Sequence, residues 1–439
     1  VKQTAWERMA HTAWEREIYE QVRVVSRLLS GKDPLDALLD RPGRSIRRLS
    51  SALFDELGEG GEVLFLCCDR TAWAAGYEAA AVWGRLLQVP LRVFYRLEEL
   101  YKEREPLPIV VVASAIPDPQ TLEQFRGNPE IPVCWIGPAL EEKYARHFDR
   151  SLGCYSLLDH GGPAGYCSLY AGVLLLLSAA WQKAAGDKGR VLQSLLRCAE
   201  KAVAAVLEDG AVKEGIDRFW QRNRLRKGAF YISPPSGIGY VWEQIFDATG
   251  VSSLEHHVYG DSSHGPIATV DPRVEDKYIR LDSREEMVET HGEEAVSEWE
   301  RIYGIGGIDP SSPSSAGRFE ALRRTGLIRD KAGWFLPVYR PGYDVRNDNL
   351  IILDASRSRT FEQARDEVEI FAGRNARMLL VSQRALYDSL SEGQVLARCS
   401  AADPVLLPSL NGGLIPDLLL PFASQLLAAA FAAGCAAEK

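Results

Sequence analysis

Gly60-Gly61-Glu62-Val63-Leu64-Phe65-Leu66-Cys67-Cys68-Asp69-Arg70-Thr71 decides the fold class. Two glycines punctuate the chain, a short continuous apolar run follows, and Ala72 to Leu87 takes up a helical pattern. A strand apolar on both faces belongs in a parallel sheet covered by helices, whereas a half-solvated strand would alternate. Leu91 to Tyr95, Ile109 to Ser114 and Val133 to Ile136 read as further strands, and Ala171 to Ala184 as an apolar helix. Strands alternating with helices imply right-handed crossovers and a doubly wound sheet, with a ligand expected outside the carboxyl ends of the strands.

Upstream, residues 4 to 30 form an amphipathic helical pattern ended by Ser30-Gly31 and Asp33-Pro34, and a second helix is expected from Gly43 to Leu57. Downstream, a helical linker at 187 to 207 precedes a restart of the same rhythm. Ala229 to Ser233 is a strand, Tyr240 to Thr249 a helix, Leu350 to Asp354 a strand, 361 to 373 a helix and Met378 to Ser382 a strand. Residues 272 to 346 break the rhythm with an acidic helical stretch, Arg284 to Tyr303, then Gly304-Ile-Gly-Gly307 and a Pro/Ser-rich turn. The expected organisation is an α/β chain with two doubly wound parallel sheets. It comprises an N-terminal helical segment (1–58), a first domain (59–186), a helical linker (187–228) and a second domain (229–439) with an insertion at 272–346.

The chain has 439 residues and a net charge of -9, which argues against nucleic acid, because neutralising phosphates needs a surplus of Lys and Arg on one face. No stretch reaches the 18 or more apolar residues of a membrane span, and no signal-peptide pattern is present, so a cytoplasmic protein is expected. The eight Cys show neither CxxC spacing nor the density of a disulfide scaffold. Adjacent His256 and His257 cannot easily face one ion and fit no zinc spacing, so neither a metal nor another cofactor is expected.

Several stretches, in order along the chain, resemble the paired sugar-isomerase (SIS) domains that form the isomerase half of the glucosamine-6-phosphate synthase family. Glu17-Ile-Tyr-Glu-Gln21 is similar to the segment opening that half, and Cys67-Cys-Asp-Arg-Thr71 stands where the family has Cys-Gly-Thr-Ser. Ser114 leads into the position of the family's phosphate loop, and Gly161-Gly-Pro-Ala-Gly165 with Ser168 resembles the end of the first domain. Tyr259-Gly-Asp-Ser-Ser-His264-Gly-Pro266 resembles the His-Gly-Pro segment of the second domain, and Leu418 to Gly434 its closing helix. The resemblance implies a double SIS fold, a homodimer, and a role for His264 in sugar-ring opening.

Much of the implied chemistry is altered. A phosphate needs free amides and small residues at a helix N-terminus. Here the loop is Ser114-Ala-Ile-Pro-Asp-Pro-Gln-Thr121, in which Pro117 and Pro119 each remove an amide donor and Asp118 adds like charge. The position of the family's general base falls on Ala248 or Gly250, leaving Asp247 and Glu255 as nearby carboxylates that serve as base or merely as solvated surface. The tail Cys-Ala-Ala-Glu-Lys439 does not match the family's Schiff-base lysine motif, and the glutaminase half has no counterpart in this sequence.

The expected function is therefore binding of a sugar or amino-sugar derivative, phosphorylated or not, by a divergent isomerase, deaminase or deglycase. The expected catalytic groups are His264, Asp247 and Glu255. The expected ligand contacts are Thr71, Ser114, Gln120, Thr121, Ser168, Glu243, Ser262 and Ser263. The alternative is a non-catalytic regulatory or scaffolding subunit that keeps the fold and takes a protein partner through the insertion.

Overall fold

The computed structural model describes residues 13–31, 63–87, 91–95, 109–126, 133–145 apart from 139, 153–155, 162–223 apart from 186, 228–249, 253–261, 278–281, 334–337, 349–372, 378–392 and 402–436, with 288–289, 293–294 and 297. The helix expected at 43–57 and most of the 272–346 segment lie outside these residues.

The first sheet is built from β1 (Val63–Cys67), β2 (Leu91–Tyr95), β3 (Ile109–Val112), β4 (Val133–Ile136) and β5 (Gly153–Tyr155). All pairings are parallel and the strand order is β2-β1-β3-β4-β5. The second is built from β6 (Gly228–Ser233), β7 (Ser253–Val258), β10 (Asn349–Ala355), β11 (Met378–Gln383) and β12 (Ala402–Leu407), again wholly parallel, in the order β12-β11-β10-β6-β7. Counted along the chain within each sheet, both orders are 2-1-3-4-5. The rhythm read twice in the sequence is thus one topology built twice. Between β7 and β10 in sequence, β8 (Tyr278–Leu281) and β9 (Trp334–Pro337) form a two-stranded antiparallel ribbon.

Helices cover the sheets. They are α1 (Ala13–Leu29), α2 (Arg70–Leu87), α3 (Pro119–Arg126), α4 (Tyr166–Ala185), α5 (Asp187–Leu196), α6 (Ala199–Glu208), α7 (Gly210–Asn223), α8 (Ile238–Thr249), α9 (Phe361–Ala372), α10 (Arg384–Glu392) and α11 (Leu420–Ala436). The stretch expected as a helical linker holds three helices, α5 to α7. In α1, Ile18, Val22, Val25 and Leu29 recur every three to four residues and are all buried, and that face packs on α4, α6 and α11.

The central strands show why continuous apolar runs are required. Ala229 and Tyr231 of β6, Ile352 of β10, and Leu379 and Val381 of β11 face a large core shared with α1, α2, α4, α8 and α11. Their neighbours Phe230, Ile232, Ile351, Leu353, Met378 and Leu380 face a second core with Val368 and Phe371 of α9. Residues of α2 and α4, over the first sheet, share the larger core with α8 and α11, so the two sheets are joined through their helices.

Candidate functional site

A 2-1-3-4-5 sheet reverses direction between its first and third strands, and the gap outside their carboxyl ends is where such folds bind ligands. This chain has two such crevices, one beyond β1 and β3, the other beyond β6 and β10.

The first is occupied by its own side chain. Asp69, between β1 and α2, accepts the amide of Ala72 at 2.8 Å and the Ser114 hydroxyl at 2.8 Å on Oδ1, and the Ser114 amide at 2.7 Å on Oδ2. One carboxylate thus caps the start of α2 and closes across to the end of β3, filling donors that would otherwise face an anion. The next loop repeats the device. Asp118 accepts the Thr121 hydroxyl at 2.6 Å and the Thr121 amide at 3.0 Å, bonds that hold its carboxyl below the usual range and cap α3.

Beside this crevice α2 meets α8. The Thr71 hydroxyl donates to Gln244 Oε1 at 2.6 Å, and the Arg70 guanidinium lies 3.7 Å from Glu243. Glu243 also accepts the His256 amide at 2.7 Å, and its carboxyl is pushed up chiefly by burial, with Asp247 and Glu255 adding to the rise. His256 is packed between elements. Its Nε2 is 2.9 Å from the Ser233 hydroxyl and its ring meets Tyr240 edge-on at 5.0 Å. Burial, with His257 beside it, pushes the imidazole down to about 4, so it is neutral at ordinary pH.

The second crevice is a polar network. At the end of β10, Asp354 Oδ2 accepts the Tyr231 hydroxyl at 2.7 Å, Oδ1 accepts the amide and hydroxyl of Ser356, and its carbonyl accepts the Tyr259 hydroxyl. Tyr231 stacks on Trp242 at 4.4 Å, and the Trp242 indole donates to Ser424 at 2.9 Å. One step further, Arg357 Nη1 meets Glu78 Oε1 at 2.7 Å, and Glu78 Oε2 accepts the Gly237 amide at 3.0 Å. Glu78 belongs to α2 and Arg357 follows β10, so this pair crosses from one sheet's helix to the other sheet's crevice. Next to it lies a cavity of about 240 Å³ lined by Glu78, Arg357, Ser358, Arg359, Asp417 and neighbouring apolar groups.

The expected site residues are distributed as follows. Thr71 and Ser114 flank Asp69, and Glu243 stands across from Arg70, so these three share one region. Thr121 is tied to Asp118, and Gln120 is exposed. Ser168, in α4, is buried and donates to Gln21 of α1 at 3.2 Å. Asp247 and Glu255 are exposed. His264, Ser262 and Ser263 lie outside the described residues. Among the described residues, no three His, Cys, Asp or Glu side chains are grouped as metal ligands would be, and no helix is long and apolar enough to cross a membrane. Sequence reasoning did not single out Asp69 as a cap, nor Glu78, Asp354, Ser356 and Arg357. The available signal was Asp354-Ala-Ser-Arg357 directly after an apolar strand.

No protein-family model and no curated protein sequence matches this chain. Solved structures do. The C-terminal domain of glucosamine-fructose-6-phosphate aminotransferase from Francisella tularensis matches with a TM-score of 0.58 over 95% of this chain and 94% of that one, at 12% identity. Tagatose-6-phosphate ketose/aldose isomerase from Escherichia coli matches with a TM-score of 0.58 over 100% of this chain and 95% of that one, at 11% identity. What this chain shares with both is the fold, an α/β architecture with parallel sheets.

Proposed function

We propose that this chain, built on the phosphosugar isomerase fold, binds an unphosphorylated sugar or amino-sugar derivative and does not isomerise sugar phosphates. One observation carries the reading: the Asp69 carboxylate occupies the donors between the start of α2 and the end of β3. A phosphate entering there would meet a fixed like charge and donors already engaged. Two unit charges of the same sign about 4 Å apart repel by about 4 kcal/mol near a protein surface. Glu243, paired with Arg70, and the nearby carboxylates of Asp247 and Glu255 add further negative charge on the α8 side, which favours an amine over an anion. In this reading the two sheets are two SIS lobes spanning 59–186 and 229–439, His264 contacts the sugar ring, and a homodimer completes the site.

A second reading, a binding subunit without catalysis, is favoured by the way Thr71, Ser114 and Glu243 direct their polar atoms at Gln244, Asp69 and His256. In that case the 272–346 segment takes the protein partner.

The test is a thermal-shift screen with glucose, glucosamine, N-acetylglucosamine and the 6-phosphates of each, repeated with His264→Ala. A ligand at 100 times its dissociation constant adds about 2.7 kcal/mol to native stability. Stabilisation by an unphosphorylated sugar, weakened in His264→Ala, is expected. Turnover of that sugar separates the first reading from the second. Stabilisation by the 6-phosphates with their isomerisation would overturn both.

A further inference from the structure

Two helical stripes meet at the seam between α2 and α8. Arg70, Trp73 and Tyr77 recur at steps of three and four residues on α2, and Tyr240, Glu243 and Asp247 do so on α8, so each trio shares one face of its helix. The helices run antiparallel here. Arg70 stands 3.7 Å from Glu243, and the Trp73 ring centroid lies 4.5 Å from that of Tyr240. The seam therefore has a charged end, next to Asp69, and an aromatic end.

The aromatic end is one continuous patch. Tyr77 lies nearly parallel to Trp73, at 5.2 Å and 24°, and Tyr240 nearly perpendicular to it, at 82°. All three residues are only partly buried. Single exposed apolar side chains are ordinary, whereas a contiguous patch of them marks a binding surface. Among the described residues, the hydroxyls of Tyr77 and Tyr240 have no hydrogen-bond partner, and neither is closed off from water, so both border the patch.

The charged end keeps an open acceptor. Glu243 Oε1 takes the His256 amide, but Oε2 is 3.7 Å from Arg70 Nη2, too far for a hydrogen bond. The Glu243 side chain is 17% exposed, and Oε2 is not among the oxygens closed off from water. Arg70 is 57% exposed and has N–H donors to spare. The carboxylates of Asp247 and Glu255 act on Glu243 together with the one guanidinium of Arg70, and His256 is neutral, so the local balance is negative.

These features select a ligand. A pyranose has a ring face of C–H groups that packs on aromatic rings and a rim of polar groups that a few fixed partners orient. A phosphate would meet the surplus carboxylates, and a neutral sugar would leave that surplus uncompensated. An ammonium on the ring answers it, by a charge-assisted hydrogen bond and by attraction to the neighbouring aromatic faces.

We propose that the α2–α8 seam is an amino-sugar subsite in which the pyranose ring lies on Trp73 and Tyr240, its ammonium bonds Glu243 Oε2, and a ring hydroxyl accepts from Arg70. Tyr77 extends the aromatic surface behind Trp73. The proposal rests on the reading of this chain as a sugar-binding protein and adds the surface, the pose and the residues that distinguish an amino sugar from a neutral one.

The experiment is saturation-transfer difference NMR on the full chain with glucosamine, glucose and glucose 6-phosphate, irradiating only aromatic protons of the protein. Transfer to the C–H protons of one glucosamine ring face is expected, weaker transfer to glucose, and none to glucose 6-phosphate. In calorimetric titrations, Trp73→Leu and Tyr240→Leu should each weaken glucosamine binding about fivefold or more. Glu243→Gln should weaken it about tenfold while leaving the weaker glucose binding unchanged. Trp73 also packs on the core, so if Trp73→Leu does not fold, the wild-type NMR and Tyr240→Leu decide. Glucosamine binding equal in wild type and variants, without aromatic transfer, would overturn the seam and leave the sugar-binding reading standing. Binding of no sugar at all would overturn both. A wild-type dimer that Tyr240→Leu dissociates, with glucosamine binding unchanged, would make the seam an interface between two copies and overturn the proposal.

Discussion

Glu78 and Arg357 form an ion pair at 2.7 Å in which both side chains are almost wholly buried, 1% and 6% exposed. It links α2, over the first sheet, to the segment leaving β10 in the second. Two charges removed from water are tolerated because Glu78 also takes the Gly237 amide.

Removing one partner strands the other. Arg357→Met or Glu78→Leu should each cost about 3–5 kcal/mol, whereas the double variant should cost much less than the sum. Urea unfolding of the four proteins gives the coupling directly. Simple additivity would mean that the pair does not act as a unit.

Gly237 should not tolerate a side chain. A Cβ there would lie 1.8 Å from the carbonyl oxygen of Ala74, a backbone atom of α2 that cannot swing aside. Gly237→Ala must push α2 and α8 apart and should cost about 3 kcal/mol or more. Gly210→Ala, whose Cβ would meet nothing within 4 Å, is the control and should be neutral or slightly stabilising. Equal melting temperatures for the two variants would contradict the close approach.

His256 makes stability fall in mild acid. Its imidazole is held down to about 4 against 6.5 unfolded, so between these values the unfolded chain takes up the proton first. The contribution is complete above 6.5 and is lost as pH falls to about 4, amounting to about 3 kcal/mol. His256→Gln, which can keep a polar contact with Ser233, should flatten this part of the profile in urea titrations at successive pH values. A variant with the wild-type slope would locate the effect elsewhere.

The interior strands are legible in sequence because burial on both faces makes the middles of β3, β10 and β11 continuously apolar, with polar residues such as Asp354 and Gln383 only at their ends. Of the edge strands, β2 is legible, whereas β5, β7 and β12 are not. Among the described residues β7, which carries Glu255, His256 and His257, pairs only with β6, and β12, which carries Pro404, pairs only with β11; such residues are accepted at an edge and not in a central strand. The region around Thr71 and Ser114 could be placed from the strand–turn–helix pattern. The partners that close it could not, since Asp69 acts on Ser114 across 45 residues and Glu78 on Arg357 across 279. Contacts of that range leave no local pattern.

Asp69 offers the sharpest test of how this crevice differs from an anion site. Asp69→Ser removes the carboxylate and releases the Ala72 amide and the Ser114 amide and hydroxyl into a gap at a helix N-terminus. In the absence of ligand the variant should lose about 1–3 kcal/mol, because buried donors go unpaired. Inorganic phosphate should then restore stability, less so as sodium chloride is raised. Asp69→Asn fills the same space and should lose stability without gaining phosphate binding. Wild-type protein should gain nothing from phosphate at the same concentration. If wild type and Asp69→Ser respond alike, the carboxylate does not bar the crevice to anions, and the case for an unphosphorylated ligand falls with it.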